Sequence, residues 1–198
     1  MINENKNKII LASNSPRRKE ILSALGVDFD VYVPKGKEID IIGEKYSVDL
    51  VNECAKQKAM NAYEELKKET ISDELKESII ISCDTVVVGD GIIIGKPKDK
   101  NDAFAILKSL SGKTHIVSSS ICIAQNGDYN VANEITKVTF RNLLDKEILD
   151  YIDRCKPFDK AGSYGIQDEG FDFVESIDGS YENVMGFPVR MFEELLRI

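Results

Sequence analysis

One acidic residue interrupts the most apolar run of the chain, Ile79-Ile80-Ile81-Ser82-Cys83-Asp84-Thr85-Val86-Val87-Val88. β-Branched residues on both sides of it specify a strand, and apolar residues at nearly every position specify one covered on both faces. Aspartate is a poor strand former, and an unpaired buried carboxylate costs on the order of several kcal/mol. Asp84 therefore needs a cation, a set of donors or a metal. The bland alternative is a strand break in which Asp84 caps a turn between two short strands.

The rest of the chain alternates helical and strand signals. Ile9-Ile10-Leu11 reads as a short buried strand, followed by the polar loop Ser13-Asn14-Ser15. Ser15 as N-cap and Pro16 as first helical residue open a helix to about Leu25, stopped by Gly26. Asp28 to Val33 reads as a second strand, and Pro34 to Gly43 as a loop carrying Glu38 and Asp40. Ser47 caps a long helix to about Lys68, with Val51, Cys54, Ala55, Ala59, Ala62 and Leu66 as its apolar stripe. Lys67 to Glu77 reads as a solvated helix end and loop. Gly89-Asp90-Gly91 and Asn126-Gly127 are hairpin turns, joining the Asp84 strand to Ile92–Ile94 and Ile116–Ala124 to Tyr129–Phe140. Further helices are expected from Asp99 to Leu110, from an Asp145 cap to Arg154, and from Pro188 to Arg197. A glycine-bearing loop spans Pro157 to Gly170, and Phe171 to Val174 is a short strand. This pattern predicts an α/β fold with a mixed sheet and flanking helices, in one domain over residues 1–198.

The net charge of −8, with a pI near 4.9, argues against a general nucleic-acid binder, whose affinity rests on Lys and Arg at phosphates. It leaves room for a small anion in a local basic pocket. The four cysteines fit no zinc spacing and suit buried thiols in a reducing cytoplasm. A lone histidine, His115, rules out a zinc site of several imidazoles; it reads as a core residue or a strand-start cap. No signal-peptide pattern and no membrane-length apolar run is present, so the expected location is cytoplasmic, with no membrane partner.

Four elements carry candidate chemistry. Ser13, Ser15, Arg17 and Arg18 cluster at a strand-to-helix junction, where free backbone N–H groups and the helix dipole favour an anion. Two arginines there oppose the dipole unless an anion docks between them; otherwise both pair with surface acids. Lys58 lies at helical spacing on the apolar stripe and either snorkels outward or points its charge into a cleft. Lys96, in Gly95-Lys96-Pro97, is a phosphate ligand or an exposed loop lysine. In Asp159-Lys160-Ala161-Gly162-Ser163-Tyr164-Gly165-Ile166-Gln167 the glycines allow close backbone approach to a ligand. Gln167 both donates and accepts, as a reader of base edges must. The alternative there is an ordinary turn with an Asp159–Lys160 contact.

In order along the chain, Leu11-Ala12-Ser13-Asn14-Ser15-Pro16-Arg17-Arg18, Cys83-Asp84-Thr85-Val86-Val87, Gly95-Lys96-Pro97, Leu110-Ser111-Gly112-Lys113-Thr114-His115 and the Asp159–Gln167 segment resemble the Maf family of nucleoside triphosphate pyrophosphatases. The likeness runs from about Ile9 to Leu196. It departs at Asn14, often glycine in relatives, and at Cys83, often alanine. It implies an elongated fold similar to the inosine-triphosphate pyrophosphatases, with two lobes around a cleft. It also implies hydrolysis between the α- and β-phosphates with a divalent cation, Mg²⁺ or Mn²⁺.

By the resemblance, Asp84 is the general base, Glu38 a second acid, and Arg18, Lys58 and Lys96 the phosphate-cleft residues. Ser13 and Lys160 are further candidate substrate ligands, and Asp84 and Glu38 are candidate metal ligands, since hard divalent cations take carboxylate oxygens. Arg17, Thr85 and Gln167 match the branch acting on dTTP and UTP. Such an enzyme would remove damaged or surplus pyrimidine triphosphates, and relatives often form homodimers. Two rival readings are a nucleotide-responsive regulator of cell division and a pyrophosphatase for non-standard purine triphosphates. A sensor needs the cations but has no use for Asp84 and Glu38.

Overall fold

A computed structural model describes residues 7–69, 75 and 77–196. In chain order the elements are β1 (Ile9–Leu11), α1 (Pro16–Ala24), β2 (Asp30–Val31), α2 (Val48–Glu69), β3 (Ile79–Gly89), β4 (Ile92–Ile94), α3 (Lys100–Leu110), β5 (Thr114–Gln125), β6 (Asp128–Phe140), α4 (Asp145–Cys155), β7 (Val174–Asp178), α5 (Tyr181–Met185) and α6 (Val189–Leu196). Among the described residues this is a mixed α/β protein with six helices and one seven-stranded sheet, ordered β2-β1-β3-β5-β6-β7 with β4 also on β3. β1 is parallel to β2 and β3, and the other pairs are antiparallel.

β3 is regular through Asp84, with unbroken register to β5 from Ile80↔Ala124 to Val88↔Ile116. Its side chains therefore alternate between two covered faces. Ile80, Val86 and Val88 pack towards α2, on Ala55, Ala59, Val51 and Cys54. Ile79 and Ile81 pack with Ile21 and Leu22 of α1 and Phe192 of α6, and Val87 joins Leu107 of α3 and Ile148 of α4. The strand-break reading of Asp84 fails, because nothing interrupts the ladder. Both tight turns form as expected: Asp90, Gly91, Asn126 and Gly127 all have positive φ, which a two-residue turn matched to strand twist requires.

Several boundaries differ from the sequence reading. β2 is two residues long, not six, because it is an edge strand with Val31 and Val33 exposed and Pro34 following. Ser15 holds the N-cap position of α1, but its hydroxyl makes no capping bond. Asp145 is the first residue of α4 and not its cap; Glu147 instead accepts from the Leu144 N–H at 2.9 Å. The expected strand Phe171–Val174 begins only at Val174. Phe171 and Phe173 form an aromatic cluster with Tyr151, an arrangement whose alternating pattern imitates a strand. Residues 70–74 and 76 of the expected loop Lys67–Glu77 lie outside the described residues, as does Arg197 of the last helix. Leu75 and Glu77, within that expected loop, are helical, and Leu75 is buried against the α2 alanines. No described helix is long and apolar enough to cross a membrane.

His115 is a core residue. It is 2% exposed, stacks edge-on against Phe140 and Tyr164, and meets the Tyr164 hydroxyl at 2.8 Å through Nε2. Burial pushes its pKa from 6.5 down to about 4. The unfolded chain thus binds this proton more readily, and stability falls as pH drops through that window. The full difference is about 3 kcal/mol and is largely expressed by pH 4, starting before ordinary carboxylates titrate. Denaturant unfolding between pH 7 and pH 4.5 should show this slope, and His115→Phe should flatten it while costing stability at pH 7.

Candidate active site

The site lies at a gap in the sheet. One edge of β3 pairs with β5 throughout, whereas the other pairs with β1 at Ile79–Ile81 and with β4 at Val87–Gly89. Between these, from Ser82 to Val86, that edge meets no strand among the described residues. β1 runs parallel to β3 and β4 antiparallel, and α1 starts just beyond the end of β1. Such switch points are where open α/β sheets hold ligands. A cleft of ≈ 430 Å³ opens here.

All ten sequence-predicted residues line it. Ser13, Arg17 and Arg18 come from the β1–α1 junction, Glu38 from the loop after β2, and Lys58 from α2. Asp84 and Thr85 come from β3, Lys96 from the loop after β4, and Lys160 and Gln167 from the segment after α4. Asp84 is compensated by Lys58, whose ammonium touches its Oδ1 and stands 3.4 Å from Glu38 Oε2. Lys58 therefore points into the cleft and does not snorkel. Burial most strongly opposes its charge, but the charge and hydrogen bond of Asp84 together with Glu38 raise the lysine pKa, against burial and repulsion from Arg18. The shared ammonium brings two carboxylates together from distant parts of the chain.

Thr85 faces away from Asp84, as strand alternation requires, with no bulge to bring it round. It reaches the cleft because the gap exposes both faces of β3. Its Oγ1 accepts from Arg18 Nη2 at 3.2 Å and lies 2.9 Å from Ser119 Oγ. Arg18 also donates to the Cys83 carbonyl at 2.7 Å, filling the open edge of β3, and to Ser13 Oγ at 3.2 Å. None of its contacts among the described residues is an acid. Arg17 does meet one, Asp159 at 3.3 Å, which also meets Lys160 at 3.3 Å. The surface-acid alternative thus holds for Arg17 and fails for Arg18. Lys96 is exposed at the rim, and Gln167 presents a buried Oε1 without a hydrogen-bond partner among the described residues.

The sequence reading passed over α5. Arg18 Nε donates to the Gly186 carbonyl at 2.9 Å and Arg17 Nε to the Met185 carbonyl at 3.2 Å. The negative C-terminal end of this short helix aims both arginines. Gly186, at φ 105°, closes the helix in a left-handed conformation that suits glycine. Ser180 as N-cap, Gly186 as stop and Pro188 beyond form a start–stop signature that could have revealed it.

Asp84 and Glu38, both in contact with the Lys58 ammonium, are the cleft carboxylates that could take part in holding a divalent cation. Among the described residues no group of three metal-binding side chains forms. Two carboxylates beside an anion pocket nevertheless suit a hard ion that completes its shell with phosphate oxygens and water.

The model for Maf-like proteins matches residues 8–198. The chain belongs to the Maf family. It is 45% identical to a dTTP/UTP pyrophosphatase of Phocaeicola vulgatus, covering 99% of this chain and 98% of that one. It is 43% identical to one of Flavobacterium johnsoniae over 96% and 94%, and 44% identical to one of Clostridium beijerinckii over 96% and 98%.

Proposed function

We propose that this chain is a divalent-metal-dependent pyrophosphatase that converts dTTP and UTP to the monophosphate and pyrophosphate. The observation that carries the reading is the Asp84–Lys58–Glu38 group at the sheet gap, facing four further cations, Arg17, Arg18, Lys96 and Lys160, in a chain of net charge −8. A triphosphate of about four negative charges is the ligand such a pocket neutralises. The names of the relatives supply the substrate.

In this reading water attacks the α-phosphorus, the bond to the bridging oxygen breaks, and pyrophosphate leaves. Asp84 takes the proton of the attacking water. Arg18, held at its base by Gly186, Cys83 and Thr85, meets the phosphates together with Ser13, Lys96 and Lys160. Glu38 and Asp84 would hold Mg²⁺ or Mn²⁺, which supplies charge neutralisation at the phosphates. The chain acts as one domain, its elongated form placing two lobes around the cleft as in the inosine-triphosphate pyrophosphatases.

Base choice falls to Arg17, Thr85 and Gln167. The unpartnered Oε1 of Gln167 supports this role, since it can accept from a pyrimidine ring N–H while the amide donates to a carbonyl. A site with such groups rejects a base that leaves them unpaired. Gln167→Glu removes the donor, so kcat/KM for dTTP and UTP should fall by at least ~10-fold more than for CTP and GTP. An equal loss on all four nucleotides would assign Gln167 to loop support.

A further inference from the structure

The loop that carries Glu38 is strapped along one face of α2. Ile39 lies over Cys54, with its carbonyl 4.0 Å from Sγ, and Glu38 meets Lys58 at 3.4 Å. The Lys37 carbonyl accepts from Asn61 Nδ2 at 3.3 Å. Glu65 takes the far end: its Oε1 accepts from the Gly36 N–H at 2.7 Å and the Lys35 N–H at 3.0 Å. Its Oε2 accepts from Lys35 N–H at 2.9 Å and the Tyr32 hydroxyl at 3.0 Å. Positions 54, 58, 61 and 65 follow helical steps of four, three and four, so they form one stripe on which the strap runs antiparallel to the helix.

Gly36 permits this approach, since a Cβ there would stand 2.5 Å from the Asn61 side chain. The Lys35 N–H, then the Tyr32 hydroxyl and Gly36 N–H, hold the Glu65 carboxyl below its ordinary range, as expected of an anion gripping backbone donors. Glu65 does not line the cleft. It lies seven positions beyond Lys58, about 10 Å along the helix.

We infer that Glu65 is a positioning residue: by gripping the Lys35 and Gly36 amides it sets the strap and holds the Glu38 carboxylate beside Lys58 and Asp84. The inference rests on the role given to Glu38 in the proposed reaction. Partners that orient a working carboxylate matter to a reaction almost as much as the carboxylate itself.

The test pairs amide exchange with a double-mutant cycle, using dTTP and Mg²⁺. Glu65→Gln should speed hydrogen exchange at Lys35 and Gly36 and lower kcat about 10-fold, with KM for dTTP little changed. In a Glu38→Gln background it should add no further loss, because it acts through Glu38. Unchanged exchange in Glu65→Gln, or losses that multiply with Glu38→Gln, would each overturn the inference. Should Glu38→Gln alone keep full kcat, the role of Glu38 fails, and exchange at Lys35 and Gly36 then decides the clamp by itself.

Discussion

Asp84→Asn should lower kcat for dTTP by roughly 10²–10⁴-fold, the usual worth of a positioned general base. The amide keeps size and shape but cannot take the proton. The fold should survive, because β3 pairs continuously with β5 on both sides of position 84 and the substitution leaves that ladder untouched. Circular dichroism and the unfolding midpoint check the fold, and single-turnover kinetics check the step. A variant that kept most of its kcat would reduce Asp84 to a strand residue balanced by Lys58.

Lys58→Met should have the second largest effect. Methionine keeps the stem and removes the ammonium, whose side chain is only 15% exposed and which serves both Asp84 and Glu38. Two carboxylates then face each other with nothing between them. Stability should drop by about 1–3 kcal/mol, the cost of leaving a buried polar group unpaired. Loss of one charge-stabilising donor should also cost about 10²-fold in kcat. The kinetics separate roles: a rise in KM alone would confine Lys58 to substrate binding, and a lower midpoint with normal kinetics would confine it to balancing Asp84. Arg18 should behave differently, because it already has four protein partners and, among the described residues, no acid among its contacts.

What was legible in the sequence was what local chemistry determines. Pro16 after Ser15 set the start of α1, the two-residue turns set both hairpins, and a carboxylate among Ile and Val marked Asp84 as a residue that needs a partner. Helical spacing put Lys58 on the inner face of α2. The partner that keeps it there, Asp84, lies 26 positions away and could not be read from spacing. Arg17 and Asp159 are 142 positions apart, and the carbonyls that aim the arginines lie 168 positions on. Backbone acceptors carry no side-chain signature, so α5 was missed although its start and stop residues stand in the sequence. Phe171 and Phe173 misled for a related reason. Alternation predicts a half-buried strand, but tertiary packing against Tyr151 and Phe140 won over local preference.

Hydrolysis of dTTP in ¹⁸O-labelled water with Mg²⁺ tests the central claim most directly. The account predicts pyrophosphate as the product released and the label in the thymidine monophosphate, since water attacks the α-phosphorus at the Asp84 gap. Orthophosphate with thymidine diphosphate, or label appearing in the pyrophosphate, would contradict it.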